Sequence, residues 1–151
     1  MKVELLPVVE ADYDAFFAMF EPYMDELAAY PSESDPTTIE QYRAATLADM
    51  YGRELIWIIA DGERAGLAGV RTSADWPDDR RQIASIAEFY VMPATRRHGV
   101  GRAAVEALLA EHRRRGTHLV EADILHGNKP AMAFWASLGF GVQAIQTARR
   151  P

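Results

Sequence analysis

Apolar residues between positions 10 and 30 recur every three or four places, with Phe16, Phe17, Phe20, Met24 and Leu27 on one side, and the spacing predicts a helix. Pro22 lies inside it and predicts a kink or a second segment, because proline lacks an amide donor and crowds the preceding turn. A short strand over 2–6 precedes this helix. Asp35-Pro36 reads as an N-cap followed by a first-turn proline, and Ile39, Tyr42, Thr46, Leu47 and Met50 continue at helical spacing up to Gly52. Strands over 55–60 and 64–72 flank Asp61-Gly62, a dipeptide that tolerates positive φ and so predicts a hairpin. A loop over 73–81 then leads to a strand over 82–92. The stretch from Val100 to Arg115 is an amphipathic helix, with Ala104, Val105, Leu108 and Leu109 inward and Arg113-Arg114-Arg115-Gly116 suited to its C-terminus. A strand over 118–125, a helix over 129–138 capped by Asn128, and a closing strand over 141–149 complete the reading.

That order, βααβββαβαβ, predicts an α/β (α+β) protein in which helices flank a mixed, mostly antiparallel central sheet. There is no repeat, linker or low-complexity segment, so residues 1–151 are expected to form a single domain. With 151 residues, 49% of them apolar, the chain can bury an ample core. It has no cysteine, which removes disulfides, thiolate metal sites and a cysteine nucleophile, and no metal site is read. No apolar run near the start is long enough for a signal peptide or membrane span, so the expectation is a cytoplasmic protein without a membrane partner. A formal net charge of −6 argues against nucleic-acid binding and is compatible with a cationic small-molecule partner.

The chemistry concentrates at 88–101, EFYVMPATRRHGVG, where an apolar strand enters a doubly basic, glycine-spaced turn that opens a helix. Helix N-termini carry unpaired amides and the positive end of the dipole, so such a turn suits a polyphosphate. Arg96 and Arg97 add fixed charge, while Gly99 and Gly101 remove side chains that would block a close approach. A dinucleotide fingerprint also fits Gly99-x-Gly101-x-x-Ala104, with Glu121 or Asp123 downstream. Against it, residues 92–98 separate strand from turn, the preceding strands are hairpin-linked, and too little chain follows for two βαβαβ halves.

The spacing Arg96-x-x-Gly99-x-Gly101, with Val91-x-Pro93 before it, resembles the acyl-CoA loop of the GNAT N-acetyltransferases. Asn128-x-x-Ala131-x-x-Phe134-Trp135-x-x-Leu138-Gly139-Phe140 is similar to that family's next helix, and the two in this order form a strong signal. The resemblance covers 54–140 well and the first fifty residues only by element order. It implies acetyl-CoA as cofactor, its pyrophosphate on the backbone of Arg96, Arg97, His98, Gly99, Val100, Gly101 and Arg102, and its pantetheine arm along Val91 and Met92. Asn128, Phe134 and Trp135 would lie near the cofactor, although Phe134 and Leu138 also read as core. The acceptor implied is a small-molecule primary amine; monomer and homodimer are both open.

Glu88 is the sharpest catalytic candidate. Strict alternation places Ile86, Glu88 and Tyr90 on one face of the strand, and a carboxylate among apolar neighbours is suited to taking a proton from the attacking amine. The bland role for Glu88 is a salt bridge or a polar strand position. Trp135 stands where many GNAT enzymes have a tyrosine held to protonate the departing thiolate, and indole is no acid at neutral pH. Tyr90 is the substitute candidate, and packing is its ordinary role. A backbone amide near Val91 or Met92, freed by a strand bulge, is expected to hold the oxyanion. An alternative, a non-catalytic acyl-CoA-binding regulatory domain, draws on the missing tyrosine.

Overall fold

The computed structural model describes residues 1–151. Strand β1 (Val3–Pro7) leads through a 3-10 turn (Glu10–Asp12) into helix α1 (Tyr13–Leu27), and α2 (Ile39–Ala48) follows. Strands β2 (Arg53–Ala60), β3 (Glu63–Asp75) and β4 (Asp78–Val91) form an antiparallel meander. Helix α3 (Val100–Arg115), strand β5 (Leu119–Ala122) and helix α4 (Lys129–Ser137) complete the elements. The five strands form one sheet in chain order, antiparallel except where β5 joins β4 in parallel. A doubly wound dinucleotide fold, whose sheet is mostly parallel, is thereby excluded.

The local signals act largely as their residues dictate. Asp61 and Gly62 both have positive φ, 49° and 84°, the requirement of a two-residue hairpin turn whose twist matches its strands. Gly116 ends α3 at φ 79°, and the Asn128 side chain accepts from the Ala131 amide to cap α4. Pro22 does not split α1, which runs unbroken from Tyr13 to Leu27. Pro22 and Ala18, whose carbonyl loses its partner, are both exposed, so water replaces the missing bond while Phe16, Phe17 and Phe20 hold the opposite face in the core. Helix α2 starts not at Asp35 but at Thr38, whose side chain accepts from the Gln41 amide while the Gln41 side-chain oxygen accepts from the Thr38 amide. This reciprocal capping box satisfies two groups where the expected cap satisfies one.

Three further expectations are corrected. The loop over 73–81 is mostly ladder: β3 and β4 extend until Asp75 faces Asp78, leaving only Trp76-Pro77 at the tip. The closing strand over 141–149 does not form, and Val142 and Ile145 are exposed. Its apolar positions, Val142, Ala144 and Ile145, break the period of two, so no pairing register buries them together. The strand β4 also does not alternate strictly. Gly69 faces Glu88 while Val70 faces Ile86, so Ala87 is an extra residue, a bulge.

That bulge sorts the site from the scaffold. Before it, Ala84 and Ile86 pack with Val105, Leu108 and Trp135 on the α3–α4 side, a side Phe89 rejoins. After it, Tyr90 packs with Phe16, Phe17, Phe20, Trp57 and Leu67 on the α1–α2 side. Ile86 therefore does not share a face with Glu88 and Tyr90. Only those two turn toward α1 and α2.

Candidate active site

Strand β5 pairs with β4 only along Ile83–Ile86, so β4 beyond the bulge has no strand beside it on that edge. The free edge runs to Val91 and continues into a 3-10 turn (Pro93–Thr95) and the N-terminus of α3. Arg97 and Gly99 both have positive φ, 64° and 81°. Alternating backbone of this kind folds amides inward into an anion-binding concavity. None of the amides from Arg97 to Arg102 donates a hydrogen bond within the protein. A row of unpaired donors at the positive end of a 16-residue helix is chemically suited to a polyphosphate. An open cleft of about 460 Å³, lined by Thr95, His98 and Val100 among others, borders this end of α3.

The two glycines serve different ends. Gly99 needs its conformation: a β-carbon there meets nothing within 4 Å, but φ is +81°. Gly99→Ala is expected to cost about 1 kcal/mol of stability, the penalty of a left-handed non-glycine residue, measurable by denaturant unfolding. Gly101 needs its emptiness, since a β-carbon would lie 3.1 Å from the Phe134 ring and 3.6 Å from Val91 Cγ2. The sequence reading of Gly101 as clearance for a ligand missed this packing against α4.

The side chain of Arg96 is engaged within the protein. Its guanidinium donates to both Glu26 carboxylate oxygens at 2.8 and 2.9 Å and to the Val91 carbonyl at 2.7 Å, and lies over the Tyr90 ring. Arg96 thus fastens the end of α1 to the end of β4, whereas Arg97 makes no ion pair. Both partners of the Arg96–Glu26 pair are partly exposed, so Arg96→Ala is expected to lower stability by only about 1 kcal/mol, read as a small fall in Tm. Met92 donates its amide to the Ala65 carbonyl at 2.8 Å, so that amide is not free to hold an oxyanion. The bulge expected near it sits instead at Ala87.

Glu88 is 6% exposed, with its carboxyl against bare backbone, because a β-carbon on Gly69 would fall on Oε2. Oε1 accepts from the Tyr42 hydroxyl of α2. Burial pushes the Glu88 carboxyl up, opposed by the Tyr42 hydrogen bond and by the nearby Arg53 guanidinium. Burial, followed by the Glu88 charge, drives the Tyr42 phenol far above its ordinary range. Tyr23 of α1 accepts a long bond from the Phe89 amide at 3.5 Å, and burial pushes its phenol up to about 12. Tyr90 is also raised, mainly by burial, so it holds its proton more firmly than a free phenol.

On the opposite face, Trp135 is buried edge-on to Phe89, Phe134 and Phe140, and Phe134 stacks on Phe89 with ring centroids 5.8 Å apart. Asn128 spends its carbonyl oxygen on the α4 cap. Of the sequence candidates, Glu88 and Tyr90 come together with the α1–α2 tyrosines, and the glycine turn adjoins the same free edge. Tyr42, Tyr23 and Gly69 escaped the sequence reading. Gly69 had a signal, since a glycine inside a strand marks close approach, but the tyrosines looked like any helix-face aromatics.

The family model of the acetyltransferase (GNAT) family matches residues 14–140. The chain belongs to the GNAT family. No curated protein matches it in sequence, whereas solved structures do so extensively in fold. A transcriptional regulator from Bacillus halodurans C-125 shares 19% identity at a TM-score of 0.75, with 99% of each chain covered. A ribosomal-protein-alanine N-acetyltransferase from Brucella melitensis biovar Abortus 2308 has a TM-score of 0.75 at 13% identity, again with 99% of each chain covered. An aminoglycoside acetyltransferase from an uncultured soil metagenomic sample, in complex with sisomicin, has a TM-score of 0.73 at 12% identity, covering 99% of this chain and 96% of its own. At these identities the likeness is one of fold. This GNAT chain is thus an acetyltransferase by family, with no helix long and apolar enough to cross a membrane.

Proposed function

We propose that this GNAT protein is an N-acetyltransferase that uses acetyl-CoA and a small-molecule primary amine in a ternary complex. The observation that carries the reading is the unpaired row of amides from Arg97 to Arg102 beside a β4 edge that also bears the buried carboxyl of Glu88. Those amides would hold the pyrophosphate, and the edge around Val91 would pair with the pantetheine arm as an added strand. Acetyl-CoA supplies a thioester carbonyl for the neutral amine to attack, the C–S bond breaking as the C–N bond forms. Glu88 takes the amine proton, directly or through water, and its raised proton affinity suits that role. A thiol has a reference pKa of about 8.5, so the thiolate is a tolerable leaving group without a phenol to protonate it. Tyr90, raised by burial, is a poor acid for that step, and its place next to Glu88 is better suited to shaping the acceptor's approach.

The acceptor would enter between α1 and α2, on the Glu88 side. Of the acidic residues in that region, Glu26 is paired with Arg96 and Asp35 with Arg150, which leaves Glu21, Asp25 and Glu33 to attract a cation. Two structural neighbours are named for amine acceptors of very different size, an aminoglycoside and a protein alanine. A panel of polyamines, aminoglycosides, amino-acid derivatives and peptides, each supplied with acetyl-CoA and followed by thiol release, tests the activity. Saturable, amine-dependent release is the expected result. A second reading, a non-catalytic acyl-CoA-binding regulatory domain, draws on Trp135 and on the neighbour named as a transcriptional regulator. CoA binding by calorimetry with no release across the panel would establish that reading instead.

A further inference from the structure

We infer that Tyr42 is the positioning residue for Glu88, its hydroxyl holding one carboxyl oxygen while the other is seated against Gly69, and that α2 thereby sets the pH at which the base works. The inference rests on the reading of Glu88 as base. The geometry is independent of it: α2 contributes the Tyr42 hydroxyl to Oε1, and Gly69 supplies the empty space that Oε2 occupies. A long side chain pinned at one oxygen and fitted against backbone at the other has lost its rotamer freedom before substrate arrives. Tyr42 is itself fixed, with its ring stacked on Phe20 at 4.7 Å and its helix started by the Thr38–Gln41 capping box. The same contact tunes the base. Burial favours the protonated carboxyl, while a hydrogen bond donated to the carboxylate favours the ionised form.

The other polar groups facing Glu88 do not supply that bond. Tyr23 of α1 is directed to the Phe89 amide, Arg53 of β2 acts through its charge alone, and Tyr90 lies farther along the same strand. Tyr42→Phe keeps the ring and its stacking and deletes only the hydroxyl. With the donor gone the carboxyl ionises at higher pH, so the acidic limb of kcat/KM is expected to move up by about one to two pH units, the scale of one hydrogen bond to an ionised group. Activity below the limb then falls about tenfold or more and recovers on its alkaline side.

The experiment pairs that pH profile with a carbon-13 NMR titration of the Glu88 side chain in wild type and Tyr42→Phe, using Glu88→Gln as the assignment and kinetic control. A matching upward shift of the resonance and the limb supports the inference. If Glu88→Gln is impaired but Tyr42→Phe moves neither, the base reading stands and the role of Tyr42 is overturned. If Glu88→Gln has wild-type kinetics, the base reading itself fails, and the inference with it. A uniform loss of activity in Tyr42→Phe without movement of either quantity marks a packing role and also overturns it.

Discussion

Glu88→Gln is expected to lower kcat/KM by about 10²–10⁴-fold at neutral pH, the range for losing a positioned general base. CoA affinity should change little, because the carboxyl lies on the α1–α2 side of the sheet and the unpaired amides lie beyond the end of β4. The deficit should shrink at high pH, where the acceptor is already a free amine. Stability should move the other way. A carboxyl whose folded pKa is raised contributes its full stability below the unfolded value of about 4.3 and loses it as pH rises through the folded value, so at neutral pH the buried charge is a burden. Glutamine keeps an oxygen for Tyr42 and removes the charge. The variant is therefore expected to have a higher Tm than wild type at pH 7 and to lose that advantage below about pH 4. Parallel Tm and kcat/KM measurements over pH check both halves, and a Tm that falls at pH 7 would contradict the account of the buried carboxyl.

Gly101→Val is expected to abolish measurable CoA binding and to destabilise the fold as well. Its β-carbon alone would stand 3.1 Å from the Phe134 ring, tighter than ordinary van der Waals contact, and valine adds two methyl groups. Overpacking of this kind costs about 1–3 kcal/mol. Either α3 or α4 must shift, and a shift of α3 displaces the unpaired amides proposed to hold the polyphosphate. Gly101→Val with Phe134→Leu provides room, so partial recovery of Tm in the double variant is the expected sign of a shared clash. Calorimetric CoA affinity equal to wild type in Gly101→Val would remove the α3 N-terminus from the binding site. Gly99→Ala, by contrast, should lose about 1 kcal/mol of stability and nothing by collision.

Sequence alone determined those features whose cause is local. The Asp61-Gly62 hairpin, the glycine end of α3 and the Asn128 cap each follow from one or two residues whose backbone or side chain admits few alternatives. The turn from Arg96 to Gly101 was legible for the same reason, since positive φ and unpaired amides are properties of a short segment. Glu88 was legible as a charge in an apolar strand, and Trp135 as a departure from the family's tyrosine.

Only the tertiary structure decided which partners these residues meet. Nothing local marks Ala87 as the bulge that sends Ile86 to one face and Glu88 to the other; the pairing of β4 with β3 fixes it. Tyr42 and Glu88 lie 46 positions apart, and Arg96 and Glu26 lie 70 apart, so both contacts arise only when α1 and α2 pack on the sheet. Pro22 and the unformed strand over 141–149 carry the same lesson in reverse. Local preference opposed helix at the one and favoured strand at the other, but α1 had a buried apolar face to hold it together and the final segment had none.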